Sequence, residues 1–541
     1  MSELSNAEPR SYSRTFDKSR MRRRRSSVLS AGAKSPKREG LSALVVDNGA
    51  YSVKVGLSTA QSPTLVPNCI MKAKSERKRL FIGAQINECR DCSGLYFLLP
   101  CERGYITKWD VQKPVWDYVF SRNVHPVEDK PVVMTQPLFN FKSIQDCIDE
   151  IFFEEYEVPS MFRPNPTDLS KLKYQQDNKL SNNLPCIIVD SGFSFTHVIP
   201  YINGNKYLRA IRRLNVGGKL LTNHLKDLIS YRQYNVMEET YVINQVKEDT
   251  CYISNNVLDE LKLASTKNNP IVRNYVLPDF NNIRRGYIQD PNDVNQKEIE
   301  ENCQILKLNN ERFVVPEILF HPSDIGMKSA GLAEAVVDSI FRCPEHARRD
   351  LAKHVVLSGG NCKFPGFRDR MYAELRSYLP HDWEVGVYMP DDPVGYSWKG
   401  GSALLKVPNF KNLLVTKSEY EEFGSTITQQ RFNSWMTDNS EPDSESSEPE
   451  ISFSYLDNIK GRSIFGKNEL GNNDSKFESN TNESDSLGSD SKTDSNDGTN
   501  QIPETTENDI NTEHSTEQSS NGFNELMNSV DLFPFGTNTY L

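Results

Sequence analysis

Two stretches of the chain share one pattern of apolar and polar positions, about 140 residues apart. In Val45–Leu57 and in Ile188–Pro200, an apolar run leads to Asp, then Asn or Ser, then Gly, and then to a second apolar-alternating run. Such a pattern predicts two β-hairpins, each with a buried strand. A carboxylate and backbone amides at a glycine turn suit a metal-bound phosphate. The repeat therefore predicts two related lobes that clamp a nucleotide.

A third segment, His354–Leu375, contains a β-rich run, a Gly359-Gly360 break and an amphipathic helix that begins near Pro365. The two glycines would let the backbone lie flat against a base. Each of these patches alone is common, because ordinary turns contain the same dipeptides. Their occurrence in this order along one chain is specific.

With KE at Lys247-Glu248 and WKGG at Trp398–Gly401, these segments follow the order of the nucleotide-cleft motifs of actin. The chain resembles the actin superfamily over about residues 42–418. HPSDIGMKSAGL at His321–Leu332 strengthens that resemblance. It implies an α/β, actin-like ATPase-clamp fold, with two related lobes around a nucleotide cleft.

Two further stretches indicate which class of the actin superfamily the chain resembles. CIMKAKSERKRLFIG at Cys69–Gly83 and the segment Ser93–Phe120 look most similar to the sixth class of actin-related proteins, which are nuclear. Only twelve residues lie between Asn68 and Phe81, where actin carries a longer loop that inserts into its filament neighbour. The resemblance therefore implies a nuclear protein that is a monomer when isolated.

The resemblance also assigns a possible ATP or ADP site. Residues that match the metal- and phosphate-facing side of actin's cleft are Asp47, Gly49, Lys54, Asp190 and Gly192; those compatible with ribose and purine contact are Lys247, Glu248, Gly359, Gly360 and Phe364. No separate metal site is predicted. Cys89 and Cys92 could form half of a zinc site, but no second Cys or His pair stands at ligand spacing.

Four positions depart from actin. Ala50 replaces a phosphate-binding serine, Tyr51 a loop glycine and Phe193 a second-loop acid, while Glu150 aligns with the water-positioning glutamine. These changes favour a fold kept for binding rather than turnover, because sites on a shared fold often lose function. Two alternatives stay open at this point. A glutamate can act as a general base, and all the matched cleft residues could now serve only to keep the fold.

Charge divides the 541 residues into three parts. Residues 1–40 hold 11 Lys/Arg and 4 Asp/Glu, a net +7; residues 419–541 hold 6 and 25, a net −19; the total of −10 leaves +2 for residues 41–418. The basic first part and the acidic, Ser/Asn-rich last part are predicted to be disordered tails around an actin-like domain at 41–418. Deleting 419–541 should then leave the thermal transition nearly unchanged.

Several features are predicted outside the cleft. Polar segments at 164–184 and 283–303 are expected to be surface insertions, where partner specificity can be added. The arginine cluster of the N-terminal tail is consistent with nuclear import, and phosphorylation of Ser26 and Ser27 beside it would offset its charge. Scattered cysteines, without a leader or a long apolar run, favour a reducing, soluble compartment.

The resemblance implies a non-catalytic scaffold subunit of a nuclear ATP-dependent chromatin-remodelling complex that deposits the Z-type histone variant into nucleosomes. The expected partners are the motor subunit and a zinc-finger HIT-domain subunit, with histones or the nucleosome contacted through the complex and no membrane. The alternative is an ATP-binding, slowly hydrolysing, actin-like protein of the cytoskeleton.

Overall fold

The computed structural model describes residues 42–437, except 75, 77, 90–94, 128, 268, 281–282 and 291–302. The predictions for the tail at 1–40, and for the acidic tail beyond 437, lie outside the described residues. The prediction about Cys92 lies outside them too. Within the described part, no helix is long and apolar enough to cross a membrane.

Short strands alternate with helices along the described chain. The strands are β1 (Leu44–Asn48), β2 (Ser52–Leu57), β3 (Thr64–Pro67), β4 (Ile70–Ala73), β5 (Leu95–Leu98), β6 (Cys101–Glu102), β7 (Tyr105–Ile106), β8 (Val132–Met134), β9 (Ser160–Phe162), β10 (Cys186–Ser191), β11 (Thr196–Ile202), β12 (Asn205–Lys206), β13 (Arg212–Leu214), β14 (Arg273–Val276), β15 (Tyr287–Ile288), β16 (Ile305–Leu308), β17 (Val355–Ser358), β18 (Val387–Tyr388) and β19 (Val415–Thr416).

The helices pack around these strands. They are α1 (Trp109–Val119), α2 (Lys142–Glu150), α3 (Pro166–Asp177), α4 (Gly218–Arg232), α5 (Thr240–Thr250), α6 (Val257–Ala264), α7 (Glu311–Glu317), α8 (Leu332–Arg342), α9 (Glu345–Lys353), α10 (Phe367–Tyr378), α11 (Tyr396–Leu404), α12 (Phe410–Leu413), α13 (Lys417–Phe423) and α14 (Ser425–Asn433). A π-helical turn, Ile151–Glu155, continues α2, and 3₁₀ turns occupy Gly83–Glu88, Leu208–Ala210, Pro322–Ile325 and Gly360–Lys363.

Two sheets of the same plan form two lobes. In lobe 1 the strand order is β19-β9-β8-β1-β2-β3; in lobe 2 it is β12-β11-β10-β17-β18, with β13 also paired to β11. In each, a central hairpin has its first strand parallel to a later strand: β1 to β8, and β10 to β17. Each lobe has its own apolar core. The predicted α/β fold with two related lobes is confirmed, since both predicted hairpins form and occupy matching places.

Two smaller sheets extend the lobes. Strands β4 and β5 pair to form a small unit with a separate apolar cluster, which includes Met71, Phe81 and Phe97. In lobe 2, β14 lies between β15 and β16. Helices α3 and α11 pack against each other between the large sheets.

The domain does not end at residue 418, as the sequence suggested. Helices α13 and α14 follow directly, and Phe432 of α14 is buried in the core of lobe 1. Next to it, the Trp435 ring packs edge-on against Phe162 at 5.2 Å. The chain then reaches lobe 2, where the Lys206 amide donates to the Met436 carbonyl. The early boundary followed from polar residues in α13 and α14, whose few apolar side chains are nevertheless those that pack inward.

The segment 164–184 is not a surface insertion. Most of it is α3, which packs tightly enough against α11 that a Cβ on Gly400 would lie 2.1 Å from the Leu169 carbonyl oxygen. Several of its polar side chains are buried, which is why their polarity predicted a surface segment. Asp168 accepts from Lys206 Nζ at 2.8 Å and from the Tyr201 hydroxyl at 2.7 Å. Only the loop after α3 is largely exposed.

The segment 283–303 is described at 283–290 and at 303. Tyr287 and Ile288 form the exposed edge strand β15 rather than an irregular loop. The remainder of this predicted insertion lies outside the described residues.

Replacing Asp168 by Ala is expected to lower the free energy of unfolding by about 3–5 kcal/mol, because it leaves the buried Lys206 ammonium without its carboxylate. Lys173→Ala, on the same helix, removes only a partly exposed ion pair with Asp177 and is expected to cost less than about 1 kcal/mol. Urea unfolding of both variants measures the difference. Equal costs would contradict the buried role of α3.

Candidate functional site

The first hairpin turn holds Asp47 rigidly in lobe 1. Its carboxylate accepts from Thr135 Oγ1 at 2.7 Å and from Ser397 Oγ at 2.8 Å. Lys54 lies opposite Asp47 on the paired strand, and its Nζ is 3.3 Å from the carboxylate. The same ammonium lies over the turn, where a Cβ on Gly49 would come within 2.7 Å of it. Asp47, Gly49 and Lys54 therefore form one compact group, as predicted from the sequence.

The second turn places Asp190 across the cleft from this group. Asp190 ends the first strand of the lobe 2 hairpin, and Gly192 closes the turn by donating its N–H to the Phe195 carbonyl. Burial, then the negative charge of Asp47, raise the pKa of Asp190 to about 6, and Lys54 partly offsets them. Two carboxylates thus share one ammonium, so the site favours an added positive charge.

The third loop contacts the second turn directly. Gly359 has φ of +97°, and a Cβ there would lie 2.2 Å from the Ser191 carbonyl oxygen, so only glycine fits. Asn361 Nδ2 donates to Ser191 Oγ and to the Gly192 carbonyl at 3.1 and 2.9 Å. Gly360 is exposed, with open space where a Cβ would point. The Gly-Gly break thus leaves open space at Gly360, and its contact with a base stays a prediction.

Two aromatic rings meet between the phosphate turns. Tyr51 of the first turn and Phe193 of the second have ring centroids 5.1 Å apart, inclined at 36°. Asn244 on α5 donates from Nδ2 to the Tyr51 hydroxyl at 2.9 Å and to Glu248 at 2.8 Å. Burial, together with the charge of Glu248, raises the pKa of Tyr51 well above its ordinary value, so the phenol stays neutral.

This contact belongs to a longer seam between the lobes. Phe97 of the small unit stacks on Tyr241 of α5 with centroids 5.1 Å apart, and Phe193 and Tyr241 both pack against the small unit's apolar cluster. Outside the rings, Lys74 and Glu238 form an exposed ion pair at 2.9 Å. We call Tyr51, Phe193, Phe97 and Tyr241 the aromatic seam. It holds lobe 1 against lobe 2.

The Lys247 side chain is bonded inside lobe 2. Its buried ammonium donates to the Gly218 carbonyl at 3.0 Å, to Thr222 Oγ1 at 2.8 Å and to Asn244 Oδ1 at 2.9 Å. Burial lowers the pKa of Lys247 to about 8, although Glu248 opposes this. All three N–H directions of the ammonium are used inside lobe 2. Lys247 is therefore better suited to joining α4 and α5 than to holding an adenosine.

Glu248, Phe364 and Glu150, which the sequence also placed at the cleft, lie in different surroundings. Glu248 is exposed and bonded to Asn244, so it remains at the cleft margin. Phe364 is buried in the apolar core of lobe 2 instead of facing a purine. Glu150 is exposed at the end of α2, where its charge acts on Cys147 and Tyr420. It is remote from both turns, so its alignment with the water-positioning glutamine is wrong, as is a general-base role there.

Several residues that build the site were not predicted from the sequence. Thr135 and Ser397 orient Asp47, Asn361 joins two loops, and Asn244 fixes Tyr51. Gly217 is tightly packed as well, since a Cβ there would lie 2.5 Å from the Phe193 carbonyl oxygen. Gly217 could have been recognised from the sequence, because Val216-Gly217-Gly218 before α4 is similar to the other glycine turns. The hydroxyl and amide residues gave no such signal, because their spacing to the aspartates is set only by the fold.

The residues present fit a nucleotide only in part. The acid pair with Lys54 suits a cation that carries phosphate, and Gly360 leaves room beside it. Tyr51 and Phe193, however, bring apolar rings to the phosphate side. The pocket lined by them and by Asn244 and Tyr241 has room for about one water molecule. No group of three or more His, Cys, Asp or Glu within the described ranges could hold a metal ion. The rings therefore occupy the space between the two turns, while the acid pair, Lys54 and Gly360 remain compatible with ATP or ADP.

Asp190→Asn is expected to stabilise the protein above pH 6. Because the folded-state pKa of Asp190 is raised from 3.8 to about 6, its stabilising contribution is present at low pH and is lost as pH rises from about 4 to about 6. The asparagine side chain does not ionise, so the variant avoids this loss of stability. It should be more stable than wild type at pH 7.5 by on the order of 2 kcal/mol, and close to wild type at pH 4.

Asp47→Asn is the matched control for that measurement. It replaces a carboxylate that is bonded to Thr135, Ser397 and Lys54, so it should destabilise the protein at pH 7.5. Urea unfolding at the two pH values measures both variants. If Asp190→Asn were no more stable than wild type at pH 7.5, Asp190 would not be strained by its surroundings.

Two lobes joined by paired glycine hairpins, with an aspartate at each turn, define an actin-type clamp. The family pattern described as Actin matches residues 38–433. The chain therefore belongs to the actin family. This match also ends close to the end of α14, in agreement with the observed extent of the domain.

Within the family, the chain is similar to proteins named actin-related protein 6. It is 45% identical to the one from Drosophila melanogaster over 395 residues, which cover 72% of this chain and 99% of that protein. It is 37% identical to actin-like protein ARP6 of Cryptococcus neoformans, over 72% of this chain and 84% of that protein. It is 34% identical to actin-related protein 6 of Arabidopsis thaliana, over 72% of this chain and 99% of that protein. The resemblance to the sixth class is confirmed.

Proposed function

We propose that this protein is a non-catalytic scaffold subunit of a nuclear, ATP-dependent chromatin-remodelling complex that deposits the Z-type histone variant. The observation that carries the proposal is the ring contact between Tyr51 and Phe193, at the place where an actin-type clamp would hold phosphate. Similarity to the actin-related protein 6 group supports the choice of complex. Aromatic rings on the phosphate side of the cleft favour a role in binding other proteins over the turnover of a nucleotide.

The geometry supports a rigid-body role. The aromatic seam joins the lobes at one place, and residues 435–437 join them again at Lys206. Holding the lobes at both places fixes their angle without a bound nucleotide. A fixed angle presents a constant outer surface, as a subunit that docks other proteins requires. The motor subunit would hydrolyse ATP, and this chain would hold the zinc-finger HIT-domain subunit near it.

Affinity purification from nuclear extract tests the proposal. The motor subunit and the zinc-finger HIT-domain subunit should co-elute with the tagged protein, and its loss should reduce the Z-type variant in chromatin. Deleting residues 1–40 should weaken nuclear accumulation, unless a bound partner carries the protein in. Co-elution with cytoplasmic filament or motor components instead would overturn the assignment.

A cytoskeletal protein that binds ATP and hydrolyses it slowly is the second candidate, favoured by the retained Asp47, Lys54 and Asp190. Sedimentation in magnesium and salt distinguishes the two. A monomer is expected, because the segment between Asn68 and Phe81 is short and its strand β4 is paired with β5. A pelletable polymer at physiological concentration would favour the cytoskeletal candidate.

A further inference from the structure

Two exposed phenylalanines mark a surface outside the cleft. Phe139 and Phe141 follow β8 and leave 62% and 60% of their area exposed. Phe139 has φ of +55°, a strained value for a non-glycine residue. Such strain costs about 1–3 kcal/mol and is typically kept where it serves binding. Phe141 packs edge-on against Tyr105, with ring centroids 5.1 Å apart.

An exposed arginine continues this surface onto lobe 2. Arg213 lies over the rings of Tyr105 and Phe195, with its Cζ 5.4 and 4.4 Å from their centroids. Its guanidinium donates to the Tyr105 hydroxyl and to the Arg103 carbonyl, at 3.0 and 2.9 Å. These acceptors are neutral, so they fix the guanidinium without neutralising it. We call Phe139, Phe141, Tyr105 and Arg213 the aromatic–arginine surface.

The composition of this surface is typical of a docking site. Aromatic and arginine side chains dominate the energetic centres of protein interfaces. Lys142 forms an ion pair with Asp146, and Lys108 with Glu102, but among the described residues no carboxylate forms an ion pair with Arg213. The charge of Arg213 is then left to be matched by a carboxylate. An acidic segment with apolar side chains fits these requirements.

The described chain ends close to this surface. Gln136, just before the phenylalanine loop, donates to Asn433 Oδ1 at 3.4 Å, and Lys142, just after it, donates to Gln429 Oε1 at 3.4 Å. Four residues beyond Asn433, Thr437 pairs with Lys206. The C-terminal tail therefore leaves the domain beside the phenylalanine loop.

The first part of that tail has complementary chemistry. Residues 438–450 contain six acidic residues and no Lys or Arg, and residues 451–456 read ISFSYL. Ile451, Phe453 and Tyr455 alternate with serines, which places them on one side of an extended chain. The fourteen residues from Thr437 to Ile451 can span up to roughly 45 Å when extended. The segment can therefore reach the phenylalanines from where the chain leaves the domain.

We propose that residues 438–456 dock on the aromatic–arginine surface of the same molecule. The apolar side chains of 451–456 would cover Phe139 and Phe141, and the carboxylates before them would face Arg213. The contact would cover a surface that another protein's acidic segment could also use. The tail would then act as a competitor for that partner.

A photo-crosslinking residue at position 139 of the full-length chain tests the proposal. Crosslinks should form within one molecule, and mass spectrometry should map them to residues 451–456. Replacing Ile451, Phe453 and Tyr455 together by Ser should lower their yield at least tenfold, without altering the folded domain. Arg213→Gln should lower it as well. The same crosslinker at Tyr231, an exposed position on lobe 2, serves as the control and should not capture 451–456.

Two outcomes would overturn the proposal. Crosslinks from position 139 spread evenly over the acidic tail would show no specific docking. Crosslinks that join two molecules, detected by mixing light and heavy isotope-labelled protein, would make the occupant a second copy. Both readouts use purified protein alone, so they are independent of the proposed nuclear function.

Discussion

Truncation after residue 418 is expected to destabilise the domain strongly, whereas truncation after residue 437 removes no more than the surface contact proposed for residues 438–456 and is expected to change its stability little. The residues between them bury Phe432, and they supply Thr428, whose hydroxyl donates to Asp149 at 2.5 Å. Losing one buried phenylalanine costs about 3–5 kcal/mol, and the other lost contacts add to this. The thermal midpoint of the 1–418 chain should fall by on the order of 10 °C or more.

The 1–437 chain is the matched control, because it lacks only the part of the tail beyond the described domain. A substitution in place of deletion, Phe432→Ala in the full-length protein, should reproduce most of the loss. If the 1–418 and 1–437 chains melted together, α13 and α14 would not belong to the domain. This expectation replaces the one based on sequence, by which all of 419–541 could be removed without effect.

Opening the aromatic contact is expected to strengthen nucleotide binding. Replacing Tyr51 and Phe193 together by Ala removes the two rings between the phosphate turns but keeps Asp47, Lys54 and Asp190. Magnesium-ADP should then bind at least tenfold more tightly than to wild type. Titration with a fluorescent ADP analogue, read by anisotropy, measures the change.

Tyr231→Ala is the control for that titration, since its ring is 92% exposed away from the cleft contacts and its loss should not alter affinity. An unchanged affinity in the Tyr51 and Phe193 double variant would contradict the role given to the rings. The ring-ring contact contributes about 1 kcal/mol beyond the loss of buried area, and both rings are only partly buried, so the double variant is expected to fold, which its thermal transition checks.

The sequence predicted the two hairpins and the third glycine loop because their signals are local. An apolar run, a glycine and a second run need no knowledge of distant residues. Asp47 and Asp190 could be placed at the cleft for that reason. The family resemblance supplied the two-lobe arrangement, which the local patterns only suggested.

Residues whose role depends on distant partners could not be assigned. Lys247 and Phe364 have the right types for the cleft, yet packing directs them into lobe 2. Asp168 looked like part of a polar insertion because its partner, Lys206, is 38 residues away. The contact of Tyr51 with Phe193 could not be predicted either, because the two residues are far apart in the chain and only the fold brings their rings together.

Histone exchange by the purified remodelling complex tests the central claim most directly. A complex reconstituted with the Asp190→Asn subunit should exchange the Z-type histone dimer at the wild-type rate, while a complex without this subunit should lose both exchange and the zinc-finger HIT companion. Loss of exchange in a fully assembled Asp190→Asn complex would show that cleft chemistry is needed, and would contradict a non-catalytic scaffold.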